Sequence, residues 1–342
     1  MSKTKWNIIL TILSVVFLAA ACSPAPTAEP TDLPEPTQVP TEKPEPTEEP
    51  TAVPTEPAVP TEEPVTVTDD LGNEVVLEEP AQTIVSVSPS LTESLFALGA
   101  GDRIVGRDTN SNYPEAAADI QDLGSMYSGL PVEDIVALEP DLVLAAQIIP
   151  PDQLQELSDL GLNVYWQANP EDFEGLYENL RSLAVLVGGQ EQAEELIAGL
   201  QERVAAVDQQ LEDVENAPVV FYELDATDPA NPYTVGQDTF ISYVINKAKA
   251  DNVGDELEGS YIQISSEELL AQDPDIILLS DALYGVTPES VAGRAGWGEI
   301  TAVQEGEIYP FDPFVLSVPG PRLVYGYEQL AELLHPEKVE VK

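Results

Sequence analysis

The chain has 342 residues, 31 of them proline, and a formal charge of −49 from 13 basic against 62 acidic side chains. So few Lys and Arg exclude the clustered cations that a nucleic-acid partner needs and disfavour intimate contact with anionic lipid. One cysteine and one histidine exclude an internal disulfide, a cysteine zinc site and most other transition-metal sites, and nothing calls for a cofactor.

In chain order, Lys3 and Lys5 precede an apolar run from Ile8 to Phe17 and the patch Ala19-Ala20-Ala21, so residues 1–21 read as a secretory signal rather than a spanning helix. Cys22 follows at once. The arrangement resembles a bacterial lipoprotein signal, which implies cleavage before Cys22, its lipidation, and a place on the outer face of the cell membrane. Ala19 stands where such signals usually carry a large aliphatic residue, and the competing reading is a secreted protein with a free thiol. Residues 22–64 hold thirteen of the prolines among repeating Thr and Glu, with too little apolar surface to offset the entropy of ordering. They read as a disordered tether, stiffened toward polyproline II at roughly 3 Å per residue. With the signal's two lysines and the tether's ten acids and Lys43 set aside, residues 65–342 still carry −42.

Val65 to Leu77 alternates apolar and polar residues around Leu71-Gly72-Asn73, a hairpin pattern with Gly and Asn available for positive φ. Short apolar strands and helices then take turns. Ile84–Val87 is predicted as a strand, Leu91–Leu98 as a helix capped by Ser90 with Glu93 three further on, and Arg103–Val105 as a strand. Pro151–Leu160 is predicted helical and Val164–Trp166 extended. Gln190–Asp213 carries apolar residues at helical spacing over a length that spans a domain. Beyond it come strand Val219–Tyr222, helix Thr239–Lys247, strand Ile308–Pro310 and a last helix Arg322–Leu334. Such alternation predicts an α/β fold with mainly parallel sheets.

The sequence also repeats itself. Residues 133–144 read EDIVALEPDLVL and residues 267–278 read EELLAQDPDIIL, each with Glu first, Ala fifth, Pro-Asp eighth and ninth, then aliphatics. Two such units 134 residues apart predict two lobes of similar design, residues 65–188 and 215–342, joined by one long helix at 189–214. Two lobes about one rigid helix make a cleft with little hinge bending, the usual place for a small ligand.

Catalytic constellations are missing. Gly99-Ala100-Gly101 is a helix stop rather than a dinucleotide loop, and His335 before Pro336 suits a structural cap at a helix end. Carboxylates are too abundant for any pair to be informative, and no phosphate loop, thiolate nucleophile or serine elbow is present. Aromatic residues are few, and Tyr113, Tyr127, Trp166, Tyr233, Tyr261 and Trp297 fall in or beside loops at predicted strand ends. Each alone suits a lobe core or a surface as readily as a ligand contact. Tyr127 and Tyr261, however, each precede the repeated Glu by six residues, so both lobes carry a ring and a carboxylate at equal spacing. Paired rings facing a cleft suit a large, flat, polarisable ligand.

Ser88-Pro89-Ser90-Leu91-Thr92-Glu93, Asn112-Tyr113-Pro114, the run from Val132 to Leu144, Gly296-Trp297 and Pro319-Gly320-Pro321-Arg322 resemble motifs of the helical-backbone substrate-binding proteins of ABC importers. The resemblance covers the chain from about Val65 to the last helix. Within that group it is greatest to the cobalamin-binding branch, next to iron-siderophore and haem binders. It implies two Rossmann-like lobes joined by one long helix, a ligand held between them, and one acidic residue per lobe, Glu133 and Glu267, docking on arginines of the membrane permease. The family's cleft aromatics match Tyr127 and Tyr261, and Tyr233 also fits a cleft ring. Asn110 and Ala146 stand where an aromatic is often found, and Phe314 where the cobalamin branch can carry Asp. The expected ligand-binding residues are thus Ser90, Asn110, Tyr127, Trp166, Tyr233, Tyr261 and Phe314.

The expected ligand is a corrinoid, with a ferric siderophore or haem as the alternative. Many siderophore complexes are anionic and want clustered Arg, whereas the folded part offers chiefly Arg107, Arg294 and Arg322. The protein is expected to be a monomer without metal or nucleic acid and without chemistry on its ligand. A surface enzyme would require a strongly perturbed ionisable group in the cleft, and a structural surface module would not need the cleft.

Overall fold

A computed structural model describes residues 64–341, all within one compact unit, Pro60–Lys342. The signal, the tether up to residue 63 and Cys22 lie outside the described residues. Strands β1 (Val65–Thr68) and β2 (Glu74–Leu77) form the expected antiparallel hairpin. The Asp69 carboxylate accepts from the N–H groups of Leu71 and Asn73, and Gly72 alone takes positive φ, at 85°.

The first lobe follows with β3 (Ile84–Ser86), α1 (Pro89–Ala97), β4 (Ile104–Arg107), α2 (Val132–Ala137), β5 (Leu142–Ala146), α3 (Pro151–Asp159), β6 (Val164–Gln167) and α4 (Phe173–Val187). Its sheet, in the order β4-β3-β5-β6, is parallel throughout. Helix α5 (Gln190–Gln210) then leads to the second lobe. That lobe comprises β7 (Val219–Glu223), β8 (Tyr233–Val235), α6 (Phe240–Lys247), β9 (Asp251–Asn252), β10 (Tyr261–Gln263), α7 (Ser266–Gln272) and β11 (Ile276–Leu279), then α8 (Pro288–Ala292), α9 (Thr301–Glu305), β12 (Ile308–Pro310), α10 (Pro313–Leu316) and α11 (Leu323–Leu334). Its sheet, β12-β11-β7-β9, is also parallel, and β8 and β10 pair as an antiparallel ribbon.

Both sheets are buried on both faces, which explains their unbroken apolar strands. Side chains alternate between two cores with the period of two that a strand imposes. In β5, Leu142, Leu144 and Ala146 enter the largest core, while Val143 and Ala145 enter a second, confined to the first lobe. In β11, Ile276 and Leu278 enter the same large core, and Ile277 and Leu279 enter a third within the second lobe. The large core runs without interruption from the first lobe past Ala193, Ile197, Leu200, Val204 and Val207 of α5 into the second lobe. Phe173 of α4 meets Tyr243 of α6 and Tyr327 of α11, each at a centroid distance of 5.5 Å. A close-packed waist of this kind resists hinge bending.

The repeated units share more than letters. In each, the residue before the proline, Glu139 or Asp273, takes left-handed φ, 47° or 44°, two of only three non-glycine residues to do so among those described. In each, the following Asp pins the first strand of its lobe. Asp141 Oδ2 accepts from the N–H groups of Gln82 and Thr83 at 2.9 and 2.8 Å, and Asp275 Oδ2 from that of Val219 at 2.8 Å.

Local expectations were revised in two places. Helix α1 starts two residues earlier, with Ser88 as N-cap and no side-chain cap, and Glu93 is committed elsewhere. Arg103 sits in a 3-10 turn before β4, its guanidinium donating to the carbonyls of Ala81 and Val187. His335 does end α11, with Nε2 2.9 Å from the carbonyl oxygen of Ala248.

Candidate ligand-binding site

The carboxyl ends of parallel strands are where open α/β sheets bind ligands. Here the ends of both sheets open onto two contiguous cavities of about 400 and 340 Å³ that share Pro89, Tyr127, Ile148, Leu224, Ser317 and Val318. The first lobe supplies Val87 to Ser90 after β3, Asp108 and Asn110 after β4, and Ala146 to Ile149 after β5. The second supplies Leu224 after β7, Ser280 and Tyr284 after β11, and Pro313 and Phe314 after β12. The lining is mostly apolar and aromatic, as a ligand pocket requires.

Of the expected residues, the cleft brings together Ser90, Asn110, Tyr127, Tyr261 and Phe314. Tyr127 rides on a single 3-10 turn, Met126–Ser128, and is 78 % exposed. Tyr261 opens strand β10, held in register with Val235. Ser90 is buried, its Oγ 3.1 Å from that of Ser88. Trp166 lies elsewhere, in the core of the first lobe, with Nε1 donating to the carbonyl of Ile149 at 3.0 Å. Tyr233 does not line either cavity. Its main chain pairs with Gln263 and donates to the Asp225 carbonyl, so it supports the ribbon that carries Tyr261. Trp297 is wholly buried in the second lobe, and Tyr113 stacks on Arg322 outside the cleft.

Tyr284 and Ile148, 86 % and 50 % exposed, were not anticipated. Each follows the aliphatic strand of a repeated unit. Their place past β5 and β11 is the signal in the sequence that marks them.

Asp108 is the one charged residue lining the cavities. Burial pushes its carboxyl upward, against hydrogen bonds from the Ser111 hydroxyl and the Asn110 N–H. None of the six arginines is free. Arg107 donates to carbonyls of Ala117 and Asp108 and pairs with Asp122, Arg294 forks onto buried Glu223, and Arg322 holds Glu93. Arg103 caps carbonyls, while Arg181 and Arg203 pair with Glu194 and Glu328. The most perturbed carboxyl near the cleft is Asp281, pushed up to about 6 by burial and by the charge of Glu223. Its Oδ2 accepts from the Ala226 N–H, and it is not part of the cavity lining. Among the described residues no cluster of three or more His, Cys, Asp or Glu could hold a metal ion, and no helix is long and apolar enough to cross a membrane.

Glu133 and Glu267 are both exposed in the first turns of α2 and α7, one on each lobe.

A family model described as periplasmic binding protein matches residues 84–313. An uncharacterized ABC transporter substrate-binding lipoprotein of Bacillus subtilis (strain 168) is 32 % identical over 278 residues, 80 % of this chain and 86 % of that protein. A cobalamin-binding protein of Halobacterium salinarum is 28 % identical over 278 residues, 79 % of this chain and 74 % of that protein. Among solved structures, the periplasmic heme-binding protein from Roseiflexus sp. RS-1 in apo form superposes with a TM-score of 0.68 at 25 % identity, over 75 % of this chain and 98 % of that one.

Proposed function

The chain belongs to the periplasmic binding protein family as an ABC transporter substrate-binding protein, and we propose that it captures a corrinoid in the cleft and hands it to a membrane permease. The observation that carries the choice of ligand is the cleft wall. It offers the rings of Tyr127, Tyr261, Tyr284 and Phe314 and a buried carboxylate, with every arginine of the described chain engaged elsewhere. An amide-fringed, nearly neutral macrocycle suits such walls, whereas an anionic chelate would leave its charge without a partner. The protein acts as a monomer, without chemistry on the ligand, and is anchored through lipid on Cys22. Glu133 and Glu267 meet cations of the permease, one from each lobe.

Haem is the second reading. It is favoured by the Tyr127 phenol exposed at the cavity, because a tyrosine can ligate haem iron; its two propionates count against it. Absorbance titrations with cyanocobalamin, dicyanocobinamide, ferric haem and a ferric siderophore separate the readings. A corrinoid is expected to bind at micromolar concentration or below, about −8 kcal/mol. Binding of haem or the siderophore alone overturns the assignment.

A further inference from the structure

Two motifs far apart in the chain meet at the base of the cleft. The Arg322 main-chain N–H donates to Glu93 Oε1 at 2.6 Å and its Nε to Oε2 at 2.7 Å, across 229 residues. Both side chains are largely buried, at 18 % and 3 % exposure. The guanidinium also lies over the Tyr113 ring, 3.7 Å from its centroid. Among the described residues this is the only ion pair that joins the two lobes directly, because Arg181, Arg203 and Lys247 pair to or from α5.

We propose that Glu93 and Arg322 are positioning residues that fix the separation of the two cleft walls. Their neighbours in the chain are the walls. Ser90, on the first turn of α1, and Pro319, three residues before Arg322, both line the cavity. Gly320 lies between them, and a Cβ there would come within 3.1 Å of the Glu93 carboxyl and 3.4 Å of the Ser90 carbonyl oxygen. A side chain at that position crowds the pair, and its neighbours must give by a few tenths of an ångström to admit even a methyl group. Both carboxylate oxygens are used, one by main chain and one by side chain, so the contact fixes orientation as well as distance. A buried ion pair contributes little net stability, since desolvation offsets attraction, but it can specify one arrangement among several. The two motifs, whose Ser88 to Ser90 and Pro319 form cavity wall while Glu93 and Arg322 lie outside the lining, therefore act as one strut.

The distribution of distances between the lobes tests this without reference to any ligand. Spin labels are placed at Gln155→Cys on α3 and Glu305→Cys on α9, both exposed, in the full chain carrying Cys22→Ser. The paired apolar replacement Glu93→Leu with Arg322→Met leaves no orphan charge and is expected to melt within about 4 °C of the parent. Its interlobe distribution is expected to be at least about twice as wide. Gly320→Ala, a smaller change that keeps both charges, is expected to shift the mean to longer distance and supplies the test if the paired variant does not fold. Unchanged distributions in the folded variants overturn the proposal and leave the pair a contact of packing alone.

Discussion

The two repeated units perform one structural task and two different presentations. In both lobes a short helix ends in a left-handed residue, a proline follows, and an aspartate ties the next strand to the first strand of its sheet. The segments that precede them have diverged. Tyr127 stands on one isolated 3-10 turn beside Gly129, whereas Tyr261 is part of a paired strand. The α7 helix is capped by Ser265, which accepts from the Glu268 N–H, but α2 begins after Pro131 with no side-chain cap. Where the chain shapes the sheet the lobes agree, and where it lines the cleft they differ.

That comparison is open to direct challenge. The two aspartates give the largest expected effect. Asp141→Ala loses two main-chain hydrogen bonds and should cost about 2 kcal/mol in urea unfolding, whereas Asp275→Ala loses one and should cost about 1 kcal/mol. Burial raises the Asp141 carboxyl, but the Gln82 and Thr83 donors outweigh it and hold the group below its ordinary value of 3.8. Its folded value being depressed, this contribution is complete above pH 3.8 and disappears as pH falls through the folded value, so the cost of Asp141→Ala should shrink in acid. Equal costs for the two would deny the asymmetry. Next come the rings. Tyr127→Ala and Tyr261→Ala should each weaken the ligand about tenfold in titration, because each removes a large anchor from the cleft. Tyr→Phe at position 261 should be nearly silent, while at 127 it should matter only if the phenol ligates iron. The smallest change concerns the exposed glutamates. With Glu133→Ala or Glu267→Ala, ligand affinity should stay the same while uptake falls, and a loss of binding would place those residues in the cleft instead.

The sheets, the long helix and the equivalence of the lobes were legible because they rest on local periodicity and on a repeat visible within one chain. Val143 and Ile277 occupy equivalent strand positions that the repeat itself predicts. The strut was not legible. Glu93 follows Ser90 in the spacing of a helix cap, and nothing local signals that its carboxylate is drawn to an arginine 229 residues away. Trp166 misled for a related reason. A ring at the end of a strand can turn toward the cleft or into the lobe, and the indole N–H found a carbonyl inside, at Ile149. Tyr284 carried a positional signal, past the second repeated strand, but it lies in a 3-10 segment, Ser280–Tyr284, without periodicity.

One consequence of the shared core reaches beyond the cleft. Because a single apolar interior runs through both lobes and the helix between them, the molecule has little freedom to announce an occupied cleft by changing its outline. A transporter that must distinguish a loaded receptor from an empty one would then read the rim itself, where the bound molecule completes a surface that the protein alone leaves open.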